Sequence, residues 1–331
     1  MGGFFSAAAV SAPAAASLPL KKATLIYNPV AGRRPAKRER EIQHSAEVLR
    51  GAGLEVKLKP TTGPDHAQGL AHSAATQGAD IVLVCGGDGT VNEVINGLTP
   101  SQVPLGILPG GTANILAREL RLPLHPVSAA RQLMSWSPRR IALGRARWGG
   151  APSLEAGGNS EALANCRHYA AIAGIGYDAH IVYKLSPWLK DRLGVAGYVI
   201  EAFRQWVQYG YPKFSCRTNG HACDATLAVV HRTRLYAGWL HMAPTADLFA
   251  PHFAVCSFAS ASRARYLLYA AAVLLRQHLR LGDVELHEGT TVKCAATDAS
   301  TTVRFELDGE LVGALPVTFE IVPDALTVLV P

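Results

Sequence analysis

Two glycine-rich turns, each closing a short apolar run, restrict what this chain can become. Residues 81–85 are apolar without alternation and lead into Gly86-Gly87-Asp88-Gly89-Thr90; residues 104–108 lead into Pro109-Gly110-Gly111-Thr112-Ala113-Asn114. A run with no polar side suits a central parallel strand covered on both faces. After the first turn Val91, Val94, Ile95 and Leu98 recur at helical spacing, and a helix is also expected from Ala113. Upstream, residues 23–27 read as a strand ending in Asn28-Pro29-Val30-Ala31-Gly32. A helix follows over 35–50, then a strand over 54–59 and a helix over 65–77 closed by Gly78. Strand and helix thus alternate over about 120 residues, which predicts an open, doubly wound parallel sheet in an α/β N-terminal domain.

Beyond Arg140 the alternation stops. Strands are expected at 141–146, 169–173, 225–230, 235–242, 291–295, 303–307 and 317–322, with helices near 181–208 and 263–279. The reading is a flexible tail over 1–20, an α/β domain over 21–139, and a mainly β domain over 140–331. The Gly/Ala/Ser-rich stretch 149–165 reads as a loop.

With 331 residues, 49% of them hydrophobic and 17% charged, the chain can bury a large core, which excludes a disordered or fibrous protein. The longest apolar stretch, 266–275, stops at Arg276, well short of the roughly 18 residues a spanning helix needs. A formal charge of +7 favours acidic partners. Six scattered cysteines suit a reduced, cytoplasmic protein. Cys216 and Cys223 flank Asn219-Gly220, a hairpin signal that sets them opposite each other, so a metal site built from them and His221 is set aside. Residues 1–20 lack the basic start of a secretory signal, and the Gly2/Ser6 myristoylation pattern is too short to weigh.

The glycine turns carry the chemistry. Backbone N–H groups at a strand-to-helix turn can point at an anion, and glycines let it approach closely. Asp88 inside such a turn makes sense if a divalent cation or a proton-donating hydroxyl lies between it and the phosphates. Thr112 either caps the following helix or touches phosphate. Far downstream, Phe305-Glu306-Leu307-Asp308-Gly309-Glu310 reads as a strand ending in a turn. Asp308 and Glu310 are either plain turn residues or the proton acceptor and Mg²⁺ ligands that a phosphotransferase needs.

Taken together, Asn28-Pro29-x-x-Gly32, Gly86-Gly87-Asp88-Gly89-Thr90-x-Asn92-Glu93-Val94, Pro109-Gly110-Gly111-Thr112-Ala113-Asn114, Gly174-x-Gly176-Tyr177-Asp178 and Asp308-Gly309-Glu310 resemble the diacylglycerol kinase catalytic family, which includes sphingosine, ceramide and bacterial lipid kinases. The resemblance runs from about Lys22 to the C-terminus. It implies ATP bound between an α/β domain and a β-sandwich, with the γ-phosphate passed to a lipid hydroxyl and Mg²⁺ as cofactor. Nucleotide-contacting positions carried over are Asn28, Pro29, Gly32, Thr61, Gly86, Gly87, Asp88, Gly89, Thr90, Asn92, Gly110, Gly111, Thr112 and Asn114. Asp88, Asp308 and Glu310 are the candidate catalytic carboxylates, and Asp88 and Asp308 the candidate metal ligands.

Two departures stand out. Ile115 occupies a position where many bacterial members have Asp, and residues 244–251 lack the Asp-Gly loop that holds a structural Mg²⁺ in some members, so Asp247 is expected to be a loop residue. The competing readings are a soluble NAD kinase-like phosphotransferase and a weakened homologue that binds nucleotide or lipid without turnover. An oxidoreductase fails because no strand is followed by Gly-x-Gly-x-x-Gly, and nucleic acid is not an expected partner. Trp188 with Lys184, Lys190 and Arg192 is the expected docking cluster for an anionic membrane surface, which makes the protein cytoplasmic and peripherally membrane-associated.

Overall fold

The computed structural model describes residues 20–30, 35–149, 165–186, 189 and 193–331. Residues 1–19 of the expected tail, Gly32, most of the 149–165 loop, and Trp188, Lys190 and Arg192 therefore lie outside the described residues, whereas Leu20 packs against the first core.

The first unit alternates as expected: β1 (Lys22–Tyr27), α1 (Pro35–Gly51), β2 (Glu55–Pro60), α2 (His66–Thr76), β3 (Ile81–Gly86), α3 (Asp88–Leu98), β4 (Leu105–Pro109), α4 (Ile115–Glu119) and α5 (Pro126–Gln132). The order β2-β1-β3-β4 is all parallel. Ile81 to Cys85 are wholly buried, as their unbroken apolar run requires. The Asp80 carboxylate accepts the Lys21 and Lys22 N–H groups at 2.9 and 2.8 Å, anchoring the start of β1 beside β3.

The second unit begins with β5 (Ser137–Trp148), β6 (Asn165–Tyr169), β7 (Ile172–Gly176), α6 (Tyr177–Lys184), α7 (Val195–Gln208), β8 (Phe214–Thr218), β9 (His221–Ala225) and β10 (Leu227–His231). It continues with β11 (Leu235–Tyr236), β12 (Leu240–His241), β13 (Phe253–Phe258), α8 (Arg263–Leu274), β14 (Val284–Gly289), β15 (Thr291–Ala296), β16 (Arg304–Leu307), β17 (Glu310–Ala314) and β18 (Val317–Val330). A six-stranded sheet, β14-β13-β10-β7-β16-β17, faces the strands around β18, β15, β8 and β9. Phe214, Phe253, Phe305 and Phe319 fill the space between around the buried Tyr169, whose ring stacks on Phe253 at 6.1 Å. Gly144 is required there, because a Cβ on it would lie 2.2 Å from that ring.

β18 joins the two units. Its first residues pair with β15, its whole length pairs with β5, and Val328 meets Leu105 of β4 in parallel. Ala325, Leu326, Val328, Leu329 and Val330 belong to the first core. The strand expected at 317–322 is therefore too short. Pro323 and Asp324 break the pattern, yet the chain accommodates them in an irregularity between Val322 and Leu326, with Asp324 at φ 48°, and continues.

Other expectations need correcting. The strand expected over 235–242 is a tight hairpin of two short strands, because Ala237 and Gly238 adopt φ 51° and 81°. Within the helix expected over 181–208 the described residues form α6, which ends at Lys184, and α7, which begins at Val195. β13, β14 and β17 lie where no strand is expected. The Asn219-Gly220 hairpin is present, with φ 43° and 88°, and sets Cys216 opposite Cys223; all six cysteines are free thiols.

Candidate active site

The segments that follow β1, β2, β3 and β4 converge at one end of the parallel sheet, where open α/β folds bind ligands. Together with α6, α7, the β11–β12 hairpin and the β16–β17 turn they enclose a cavity of about 1000 Å³. Asn28, Pro29, Thr61, Gly87, Asp88, Gly89, Thr90, Gly111, Thr112, Asp308 and Glu310 all line it. Gly86, Gly110, Asn92 and Asn114 sit behind that wall.

The two glycine turns pack directly on each other. The Gly110 N–H donates to the Gly86 carbonyl at 3.0 Å, and a Cβ on Gly111 would lie 2.5 Å from the Gly87 Cα. Their missing side chains are thus demanded first by the protein's own backbone. Asp88 ties the turns together, its Oδ1 accepting the Ile115 N–H at 2.7 Å and its Oδ2 the Asn114 N–H at 3.0 Å. Burial, and secondarily the charge of Asp308, push its carboxyl above the ordinary carboxylate range. Thr112 does not cap the helix that follows: Asn114, at φ 49°, is the N-cap residue of α4, and Asp88 takes the N–H groups at that end. The Asn114 side chain instead clamps both polar groups of Gly111 at 2.9 Å.

Asp308 is saturated by protein donors. Its Oδ1 accepts the N–H groups of Ala171 and Ile172 at 2.9 and 3.0 Å; its Oδ2 accepts those of Ala170 at 3.0 Å and of the Asn92 side chain at 2.8 Å. Burial raises its pKa and these bonds oppose the rise. Asn92 is 1% exposed, and its Oδ1 accepts Arg167 Nη2 at 2.9 Å, so it links α3 to the sandwich. Glu310 keeps an exposed side. Its Oε2 accepts Arg167 Nη2 at 2.6 Å, while its Oε1 lies over Gly89, 2.4 Å from where a Cβ would stand.

Several cavity residues were not singled out from sequence. Glu306, two positions before Asp308 and also on the cavity wall, accepts the N–H groups of Gly174 and Gly309 at 2.8 and 2.5 Å. Beside it Asp178 accepts the Tyr236 hydroxyl. Both carboxyls are held above their ordinary range, by burial first and, for Glu306, by the neighbouring charge of Asp178. Asp178 ends the Gly174-x-Gly176-Tyr177-Asp178 motif, whereas Tyr198 and Tyr236, also on the cavity wall, belong to no motif. Ile115 turns its side chain to the same cavity, and Asp247 accepts the Phe249 N–H at 2.9 Å within its own loop.

On the polar wall the carboxylate oxygens of Asp88 and Glu310 suit a hard cation such as Mg²⁺ over a softer one, whereas Asp308, expected as a metal ligand, spends its acceptor capacity on four protein donors.

Comparison with known proteins agrees with this architecture. Residues 22–146 match the diacylglycerol kinase catalytic domain, and 171–330 match the YegS C-terminal NAD kinase beta sandwich-like domain. The chain is 28% identical over 308 residues to a diacylglycerol kinase of Bacillus subtilis, covering 91% of this chain and 93% of that protein. A diacylglycerol kinase of Staphylococcus saprophyticus is 26% identical over 303 residues, with 90% and 92% covered. A crystal structure of a diacylglycerol kinase from Bacillus anthracis shares the fold, with TM-score 0.68 and 18% identity over 95% of this chain and 98% of that one. A second Bacillus anthracis structure reaches TM-score 0.74 at 19% identity, covering 94% and 97%. With the glycine turns, the Asp308-Gly309-Glu310 turn and the sandwich assembled around one cavity, the chain joins a match to the diacylglycerol kinase catalytic domain to a match to the YegS C-terminal domain, and is similar over about nine-tenths of its length to bacterial diacylglycerol kinases.

Proposed function

We propose that the protein transfers the γ-phosphate of ATP to a hydroxyl of diacylglycerol or a related long-chain lipid alcohol. One observation carries this reading: a single cavity presents two glycine turns and carboxylates beside apolar side chains, Ile115, Ile172, Val182 and Tyr198, suited to an acyl-bearing acceptor. The glycine turns would hold the phosphates. Asp88, with its proton affinity raised by burial, is the best placed acceptor for the lipid hydroxyl proton. Glu310, held by Arg167, would face the transferring group, and Asp308, already accepting four hydrogen bonds, would position the turn that carries Glu310. Mg²⁺, held by Asp88 and its neighbouring carboxylates, would offset charge on the phosphates.

Peripheral membrane contact is part of the proposal. No helix among the described residues is long and apolar enough to cross a membrane. Yet α7, whose Tyr198 lines the cavity, exposes Val199, Ile200, Phe203 and Val207, with Phe203 66% accessible. The neighbouring α8 exposes Leu267, Leu268 and Leu274, while Trp206 Nε1 donates to the Arg263 carbonyl at 2.8 Å and joins the two helices. An apolar face this large on a helix bordering the cavity supports docking where the lipid resides.

The test is labelled ATP with purified protein against mixed micelles of diacylglycerol, sphingosine, ceramide or phosphatidylglycerol, and a no-lipid control. Transfer to a lipid alcohol is expected. Transfer only to a soluble acceptor, undiminished without lipid, would favour an NAD kinase-like reading.

A further inference from the structure

On the far side of the sandwich, away from every residue of the cavity, three side chains converge. His221 opens β9 directly after the Asn219-Gly220 turn, and Glu285 and His287 lie two apart on β14, so they share a face. His221 Nε2 stands 2.9 Å from Glu285 Oε2, and His287 Nε2 stands 3.0 Å from that same oxygen. The two imidazole rings lie 3.7 Å apart at 31°. All three donor atoms fall within 4.8 Å of one another.

We propose that His221, Glu285 and His287 form a binding site for a divalent transition cation, with Zn²⁺ the best match. The donor set is two imidazoles and one carboxylate, which selects zinc, nickel or copper over the magnesium used with ATP. Ligand bonds near 2.1 Å place two donors of a tetrahedral ion roughly 3.4 Å apart, so the two imidazole–carboxylate distances need open by only about half an ångström. The side chains are 41%, 44% and 35% accessible, which leaves the fourth position to water.

The location gives the site a structural consequence. β9 ends one sheet and β14 ends the other, so a shared ion ties together two open edges of the sandwich. Because the ion binds the folded arrangement and the ligands separate on unfolding, binding raises the melting temperature. The site shares no residue with the cavity, so phosphoryl transfer does not depend on its occupancy.

The full chain is stripped of metal, titrated with ZnCl₂ in buffer containing excess Mg²⁺, and compared with His221→Ala, His287→Ala and Glu285→Gln. The expected result is a zinc equivalent whose Kd rises at least tenfold in each variant, and a zinc-induced increase in melting temperature that each variant loses. Metal-free variants should melt close to the parent, since all three side chains are partly exposed, and their lipid kinase turnover should be unchanged. Zinc bound no more tightly than Mg²⁺, or bound equally well by His221→Ala and His287→Ala, would overturn the site.

Discussion

Asn92 donates from its side-chain nitrogen to Asp308 Oδ2 at 2.8 Å, joining residues 216 positions apart and both buried. One belongs to the helix after the first glycine turn, the other to the turn that presents Glu310. Asp308→Asn would set an amide nitrogen against the Ala170 N–H and the Asn92 side chain, leaving buried donors unpaired at about 1–3 kcal/mol each. We expect a clear drop in the urea midpoint together with a large loss of turnover. A variant with parental stability and turnover would remove both the clasp and any role in positioning.

Asp88→Asn has a different balance. One oxygen can still accept the Ile115 N–H, but the new amide faces that of Asn114, so a stability loss of about 1 kcal/mol is expected. Turnover should fall at least a hundredfold, because the charge and the proton acceptor are both gone. Single-turnover measurements that show near-normal transfer would exclude Asp88 as the base.

Glycine substitutions should separate the two halves of the site. A Cβ on Gly89 meets the end of the half-exposed Glu310 side chain, which can move, so Gly89→Ala should fold normally and lose at least tenfold in kcat. The shorter carboxylate in Gly89→Ala/Glu310→Asp should recover part of that loss. A Cβ on Gly111 meets the Gly87 backbone, so Gly111→Ala should weaken ATP binding by calorimetry and lower the melting temperature as well. Equal behaviour of the two alanine variants would contradict this division.

Local patterns made the parallel sheet and the glycine turns legible, because a fully buried strand needs an unbroken apolar run and a strand-to-helix turn needs glycine. The same reasoning placed Cys216 opposite Cys223 from one two-residue turn. What escaped depended on partners distant in sequence. Nothing near Asp308 announces that residues 170–172 supply its hydrogen bonds, and nothing near Pro323 shows that β18 runs on to join β4. Tyr236 carried no signal because its role rests on Asp178, reached only when α6 and the β11–β12 hairpin pack together.

The Asp178–Glu306 pair makes stability depend on pH. Their ordinary values are 3.8 and 4.5 and both are raised on folding, so the folded state holds more protons than the unfolded chain above that range. The pair's contribution is therefore fully present below about pH 4 and is lost as pH rises towards the folded pKa, at about 1.4 kcal/mol per pH unit for one proton. Asp178→Asn supplies a permanent donor to Glu306 while its amide oxygen can still accept the Tyr236 hydroxyl. The variant should lose less stability than the parent between pH 5 and pH 8 in urea melts. Parallel pH dependences would show that the two carboxyls do not share a proton.

Membrane engagement can be tested apart from chemistry, because the apolar face of α7 points away from the cavity its Tyr198 lines. Ile200 and Phe203 are 50% and 66% exposed, so replacing them with glutamate should leave the core intact. Charged Arg204 and Arg263 lie alongside, and basic residues near an anionic surface contribute roughly 1 kcal/mol each. Binding of the parent to liposomes should strengthen with anionic lipid and weaken with salt. Ile200→Glu/Phe203→Glu should bind at least tenfold more weakly and lose activity on bilayer substrate, yet keep its rate on a dispersed short-chain substrate. If both substrates are affected equally, the face supports the cavity's structure and has no docking role.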